Sequence, residues 1–311
     1  MNTLRTSSGD VIVDRRLGYV EMMCNEGDFA AARELMREAM ARVPDWVAGW
    51  VRLGEIAAKA GEVERAQAAF EQALSLDPED HFGASLRLDL LRPVTLTDRS
   101  PAAHVASLFD QYAAKFETSL VDKLGYRIPE LLASLLPSHL GKVLDLGCGT
   151  GLMGQAISGR FDEIAGYDLS SGMLAEAKRK GIYQRLEQKD LLELELTDER
   201  FDLIVAADVF IYIGALEKVI SWVAGALAPN GIFAFTVEEG HERGYTLLES
   251  HRYAHSKVYL DELLNAAGFK RFDVRPTTIR KDRGEEIRGL VVLAHGVRNA
   301  LDSAGEDFEF A

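Results

Sequence analysis

Four aspartates stand at or just beyond the ends of predicted strands from Lys142 onward, and a glycine turn follows the first of them. Asp145 stands in Val143-Leu144-Asp145-Leu146-Gly147-Cys148-Gly149-Thr150-Gly151, two residues before the glycines begin. Glycines at such a turn let a ligand lie directly on backbone, because they carry no Cβ. A helix pattern resumes at Leu152, so its first N–H groups are predicted to face an anionic part of that ligand. Asp168 ends the next apolar run, at a distance along the chain suited to a ribose. Asp190, beside Leu191, has an acid for an adenine amino group and an apolar neighbour for its ring. Asp208 opens a polar–aromatic loop, Asp208-Val209-Phe210-Ile211-Tyr212. Gly149-x-Gly151-x-x-Gly154 also satisfies the dinucleotide pattern, which alone would permit a nicotinamide dehydrogenase. Asp145 argues the other way, because a carboxylate there suits a ligand with a positive amino group better than a pyrophosphate.

These residues need a scaffold that brings strand ends together. Apolar runs alternate with helical patterns from Lys142 onward, with strands predicted at 142–146, 163–167, 183–188, 201–206 and 231–236. That alternation predicts an α/β fold with a parallel sheet, whose ligands sit at the carboxyl ends of the strands. A helix predicted over 105–120 carries Phe109, Tyr112 and Phe116 on one face, either as core packing or as a lid. A further helix over 128–136 tolerates Pro129 in its first turn. At the C-terminal end, 278–283 and 287–294 around Gly284 read as a hairpin.

Together these motifs resemble the class I S-adenosylmethionine-dependent methyltransferase family over Val143 to Ala294, about half the chain. The resemblance implies a Rossmann-like seven-stranded sheet closed by an antiparallel strand. It implies S-adenosyl-L-methionine as cofactor, bound by Asp145, Gly147, Cys148, Gly149, Gly151, Asp168, Leu169, Met173, Asp190, Leu191, Asp208 and Val209. Asp168 would hold both ribose hydroxyls, and the Asp208–Tyr212 loop would face the methyl group. Leu227-Ala228-Pro229-Asn230-Gly231 matches the family's turn before the fifth strand. Methyl transfer is an in-line displacement that depends mainly on alignment, with a general base needed only when the acceptor must lose a proton. The candidates for such catalytic work are His255, Asp208, Tyr212 and Tyr112, with Glu238 beside them. The rival readings are methylation of a protein or carrier-bound substrate recruited by the N-terminal part of the chain, an inactive methyltransferase-like binding module, and the dehydrogenase.

The first 92 residues contain an internal repeat. Gly27, Ala32, Met36, Ala39 and Pro44 recur 34 positions later as Gly61, Ala66, Phe70, Ala73 and Pro78. The glycines end one helix and turn into the next, the alanines allow close helix approach, and the prolines close each unit. This stretch resembles tetratricopeptide repeats, with a capping helix predicted over 81–92. The Phe109–Phe116 segment and Arg252-Tyr253-Ala254-His255-Ser256 resemble a bacterial subgroup that joins such repeats to a methyltransferase. The predicted organisation is repeats at 1–92, a linker at 93–104, a helical lid segment at 105–140, a cofactor-binding core at 141–296 and an acidic tail at 297–311. The repeats read either as a docking surface for a protein partner or for self-association, or as a helical extension that only stabilises the enzyme.

A net charge of −14 disfavours a general nucleic-acid binder. No apolar run reaches the length of a membrane span. Two distant cysteines, Cys24 and Cys148, point to a reducing cytoplasm rather than a disulfide framework. Neither CxxC nor HExxH spacing occurs, so no metal site is predicted. The expected partner is a small-molecule substrate, with methylation at oxygen or nitrogen.

Overall fold

The repeat at the start of the chain folds as two helix pairs. In this computed structural model, which describes residues 7–92, 97–117, 125–282 and 285–297, the pairs are α1 (Val11–Asn25) with α2 (Phe29–Arg42) and α3 (Val47–Lys59) with α4 (Val63–Leu76). Asp10 caps α1 by accepting from the Ile12 and Val13 amides, and Asp28 caps α2 through the Ala31 amide. Gly27 and Gly61 take φ of +81° and +77° at the two turns, which explains the glycine in each repeat. Ala32, Ala39, Ala66 and Ala73 are all buried. Gly54 lets α3 approach α4, since a Cβ there would lie 2.5 Å from the Phe70 ring. The capping helix α5 (Ala84–Leu90) is shorter than predicted, and Pro93 lies outside the described residues.

The chain divides into two compact units, residues 1–107 with 249–251, and 108–248 with 252–311. The division falls inside α6 (Ala102–Tyr112), which begins earlier than the sequence predicts and is followed by a 3-10 turn at Ala113–Lys115. Part of the predicted lid helix, residues 118–124, lies outside the described residues. α7 (Ile128–Leu135) leads into the sheet.

The sheet of the second unit begins as predicted. β1 (Lys142–Leu146), β2 (Glu163–Asp168), β3 (Arg185–Gln188), β4 (Phe201–Ala206) and β5 (Leu227–Glu239) run parallel in the order β3-β2-β1-β4-β5. The helices between them are α8 (Leu152–Ala156), α9 (Ser171–Lys180) and α10 (Glu217–Ala226). The hairpin of β8 (Phe269–Asp282) and β9 (Glu285–Val297) closes the sheet, with β9 antiparallel along β5 from Ile232↔His295 to Glu238↔Gly289. These make the seven strands that the sequence predicts.

The sheet nevertheless has nine strands, not seven. The additional two are the short hairpin of β6 (Tyr245–Leu247) and β7 (Tyr253–His255), inserted before α11 (Lys257–Ala266). The reason is the length of β5. Its pairing with β4 ends at Ala206↔Phe235, and β5 continues to Glu239. β7 pairs with this overhang at Glu238↔Ala254 and Glu239↔His255, satisfying backbone groups that would otherwise be orphaned. Apolar side chains fill both faces of the sheet. Leu144, Ile204, Phe233 and Phe235 pack with residues of α10 and α11, and Val143, Leu203, Val205 and Ala234 with residues of α7 and α8.

Candidate active site

Asp145 sits at the carboxyl end of β1 and is 1% exposed. Its Oδ2 accepts a 2.6 Å hydrogen bond from the Tyr183 hydroxyl, which in turn accepts from the Gly154 amide at 3.1 Å. Its Oδ1 has no partner. Burial pushes this carboxyl up to about 7, against the opposing Tyr183 bond. The turn that follows takes positive φ at Gly147, Gly149 and Gly151. A Cβ on Gly149 would meet nothing within 4 Å, so the backbone there faces open space. A Cβ on Gly147 would lie 2.3 Å from Val209 Cγ2, which brings the loop after β4 against the turn. The third glycine of the dinucleotide-like pattern has a packing role, because a Cβ on Gly154 would lie 2.6 Å from the Tyr183 hydroxyl oxygen. The helix predicted to offer an anion-binding N-terminus, α8, has only five residues. Cys148 is buried, its amide donates to the Tyr167 carbonyl at 3.0 Å, and burial pushes its thiol well up. It is a small, unreactive residue under the turn.

Asp168 ends β2 beside this turn. It accepts from the Gly149 amide and the Ser170 amide, both at 2.8 Å, and burial raises it to about 6 against those bonds. Ser170 caps α9 through the Met173 amide at 3.1 Å, and Met173 is buried beneath it. The Leu169 carbonyl accepts from the Gln188 side chain at 2.9 Å. Asp190 follows β3 and accepts from the Leu192 amide at 2.9 Å, while Leu191 joins the apolar core. Asp110, on the last turn of α6, accepts from the Ser170 hydroxyl at 2.5 Å and the Gly172 amide at 2.8 Å. The predicted lid helix is therefore tied to the start of α9. The aromatic stripe divides: Phe109 lies edge-on to Tyr212 at 5.4 Å, while Tyr112 is 54% exposed. Tyr112 is thus not gathered with the other predicted residues.

A second cluster lies at the ends of β4 and β5. Asp208 takes φ of +59°, a left-handed conformation that aspartate tolerates better than most residues. Its amide donates to Thr236 Oγ1 at 2.9 Å. Arg280, 2% exposed on β8, donates to Asp208 at 3.0 Å and also to Glu238. Burial pushes Asp208 up to about 6, opposed chiefly by Arg280. Arg252 reaches Glu238 at 3.8 Å. Burial raises the Tyr212 hydroxyl, and Arg252 opposes that rise. Tyr126 is buried with its hydroxyl 3.5 Å from the Ala207 carbonyl.

His255 corrects an expectation. It is 0% exposed in β7, with Nε2 3.0 Å from the carbonyls of Ile213 and Gly214 and its ring stacked on Tyr259. Burial lowers it to about 4, so it is a neutral packing residue whose Nε2–H donates to backbone. Tyr183, Asp110, Arg252 and Arg280 stand beside the predicted residues; Asp110 and Arg252 lie in the two segments that resemble the bacterial subgroup, whereas no motif marks Tyr183 or Arg280. Register alone reveals Arg280, since Arg280 pairs with Ile287 in the β8–β9 hairpin.

Residues 143–231 match the family model "Methyltransferase domain", and residues 25–88 match a tetratricopeptide repeat model. Residues 143–231 are thus similar to a methyltransferase domain.

The chain is 32% identical over 115 residues to trans-aconitate 2-methyltransferase of Variovorax paradoxus, covering 36% of this chain and 44% of that protein. It is 29% identical over 133 residues to malonyl-[acyl-carrier protein] O-methyltransferase of Enterobacter lignolyticus, covering 42% and 52%. The chain thus spans about half the length of the curated relatives it matches. Among solved structures, Haemonchus contortus phospholethanolamine N-methyltransferase 2 superposes with a TM-score of 0.52 at 19% identity, over 65% of this chain and 61% of that one, which speaks for the fold. The residues present fit S-adenosylmethionine: a buried carboxylate with one unpaired oxygen, an open glycine turn and an acid at the next strand end stand side by side.

Proposed function

We propose that this chain transfers a methyl group from S-adenosylmethionine to the oxygen or nitrogen of a small-molecule acceptor. The unpaired Oδ1 of buried Asp145 carries this reading, because an orphaned carboxylate oxygen beside an open glycine turn suits a cationic amino group. Asp168 would hold the ribose hydroxyls, and Asp190 with Leu191 the adenine. The bound cofactor supplies an electrophilic methyl on a positively charged sulfur. The remaining task falls to the protein, which must align the acceptor and exclude water. Val209 packed on the Gly147 turn and Phe109 packed on Tyr212 are the contacts suited to that. Calorimetric titration with S-adenosylhomocysteine and with NADH tests the reading. Binding of the first and not the second is expected, and the reverse would establish the dehydrogenase alternative.

A second reading is favoured by the repeats at 25–88 and by the carrier-protein substrate in the name of one relative. In it, the acceptor is carried by a protein that the repeats recruit. Removing residues 1–92 distinguishes the two. Undiminished methylation of a free acceptor supports the small-molecule reading, and loss confined to a carrier-bound acceptor supports recruitment.

A further inference from the structure

The cluster at the ends of β4 and β5 contains two carboxylates and two guanidiniums, and they are not equivalent. Arg280 is buried between Asp208 and Glu238 and donates to both, so its charge is matched inside the protein. Its Nε is buried with no partner. Arg252 is engaged more loosely. Its side chain is 28% exposed, and it reaches Glu238 only at 3.8 Å, at the oxygen that Arg280 already holds. The Tyr212 hydroxyl and the Asp208 carboxylate, which Arg280 already pairs, are its other neighbours. A fork of guanidinium donors beside a hydroxyl suits a planar anion of two oxygens.

Among the residues predicted as bases, burial keeps the Tyr212 hydroxyl protonated, and the others are committed elsewhere or exposed. His255 holds Nε2 against two backbone carbonyls. Asp208 is ion-paired with Arg280, and Glu238 with Arg280 and Arg252. Tyr112 points to solvent. Such a site suits an acceptor that needs no deprotonation.

We propose that the acceptor group is a carboxylate, held by Arg252 and the Tyr212 hydroxyl and methylated on oxygen to a methyl ester. This rests on the methyl-transfer reading above. One carboxylate oxygen forms a bond to the methyl carbon as the carbon–sulfur bond of the donor breaks. The bonding pair of that broken bond stays on sulfur. The negative acceptor and the positive sulfonium become a neutral ester and a neutral thioether, and no proton moves. Asp208, Glu238 and Arg280 are positioning residues that fix the wall on which Arg252 stands.

The test is calorimetry on the full chain saturated with S-adenosylhomocysteine, titrated with glutarate, trans-aconitate and putrescine. The dicarboxylate or the tricarboxylate binds and the diamine does not. Arg252→Gln weakens that binding roughly tenfold or more, Arg252→Lys restores part of it, and neither changes affinity for S-adenosylhomocysteine. With tritiated methyl donor, label transferred to the bound acid is released as methanol by mild alkali. Failure of both acids to bind the loaded protein, preference for putrescine, indifference to Arg252→Gln, or alkali-stable label each overturns the proposal. Failure of S-adenosylhomocysteine itself to bind falls instead on the methyl-transfer reading.

Discussion

Asp145 is a carboxylate kept dry, with one oxygen bonded to Tyr183 and the other bonded to nothing. Burial raises it to about 7 in the folded chain, while an unfolded aspartate titrates near 3.8. The charged form is therefore penalised above pH 7, and that cost is relieved as pH falls from about 7 towards 3.8. Asp145→Asn removes the charge and keeps an acceptor for the Tyr183 hydroxyl. Without ligand, the variant gains about 2 kcal/mol at pH 8, and the gain disappears by pH 4. Urea unfolding at the two pH values checks this, and an equal or lower stability at pH 8 would contradict it. The same variant binds S-adenosylhomocysteine more weakly, since its amide no longer carries the charge that an amino group needs. In the proposed function, Asp145 thus trades stability for binding.

At the scale of elements, the geometry depends on how α6 is held to α9. Asp110 accepts from both the Ser170 hydroxyl and the Gly172 amide, and Glu117 pairs with Lys180 at 2.6 Å. Ser170 lies two residues beyond Asp168, so the tether and the predicted ribose site share one corner. Asp110→Ala leaves the Gly172 amide without its acceptor and releases the last turn of α6. Hydrogen exchange in residues 108–117 then rises, and affinity for S-adenosylhomocysteine falls about fivefold to tenfold. Unchanged protection in that segment would contradict the tether. Four of the five parallel strands were legible as apolar runs, and β3, Arg185-Leu186-Glu187-Gln188, from its place before Asp190. Asp145, Asp168 and Asp190 were legible because each lies a few residues from a strand end. The cluster around Asp208 was not, because Arg280 comes 72 positions later and reaches Asp208 only through the β5–β9–β8 register. The β6–β7 hairpin was hidden because strands of three residues leave no periodicity to read. His255 was misread for a related reason, as a histidine between two elements gives no sign that its ring will be walled in by Tyr245 and Tyr259.

The whole molecule joins two units with different physical logic. In the first, small residues at helix crossings and glycines at turns stack two helix pairs, fewer than a free-standing repeat array usually needs. In the second, a sheet with both faces covered brings four strand-end acids to one edge. Among the described residues no helix is long and apolar enough to cross a membrane, and no group of three metal-ligating side chains occurs. In the proposed function, the chemistry rests on the strand-end acids, the glycine turn and the paired arginines. The central claim is that the second unit is built to bind S-adenosylmethionine. The most direct measurement is calorimetric titration of the full chain with S-adenosylhomocysteine, set beside Asp168→Ala. One molecule bound per chain, with affinity lowered at least about tenfold in the variant, is the predicted result. Absence of binding to the unmodified chain would contradict the account.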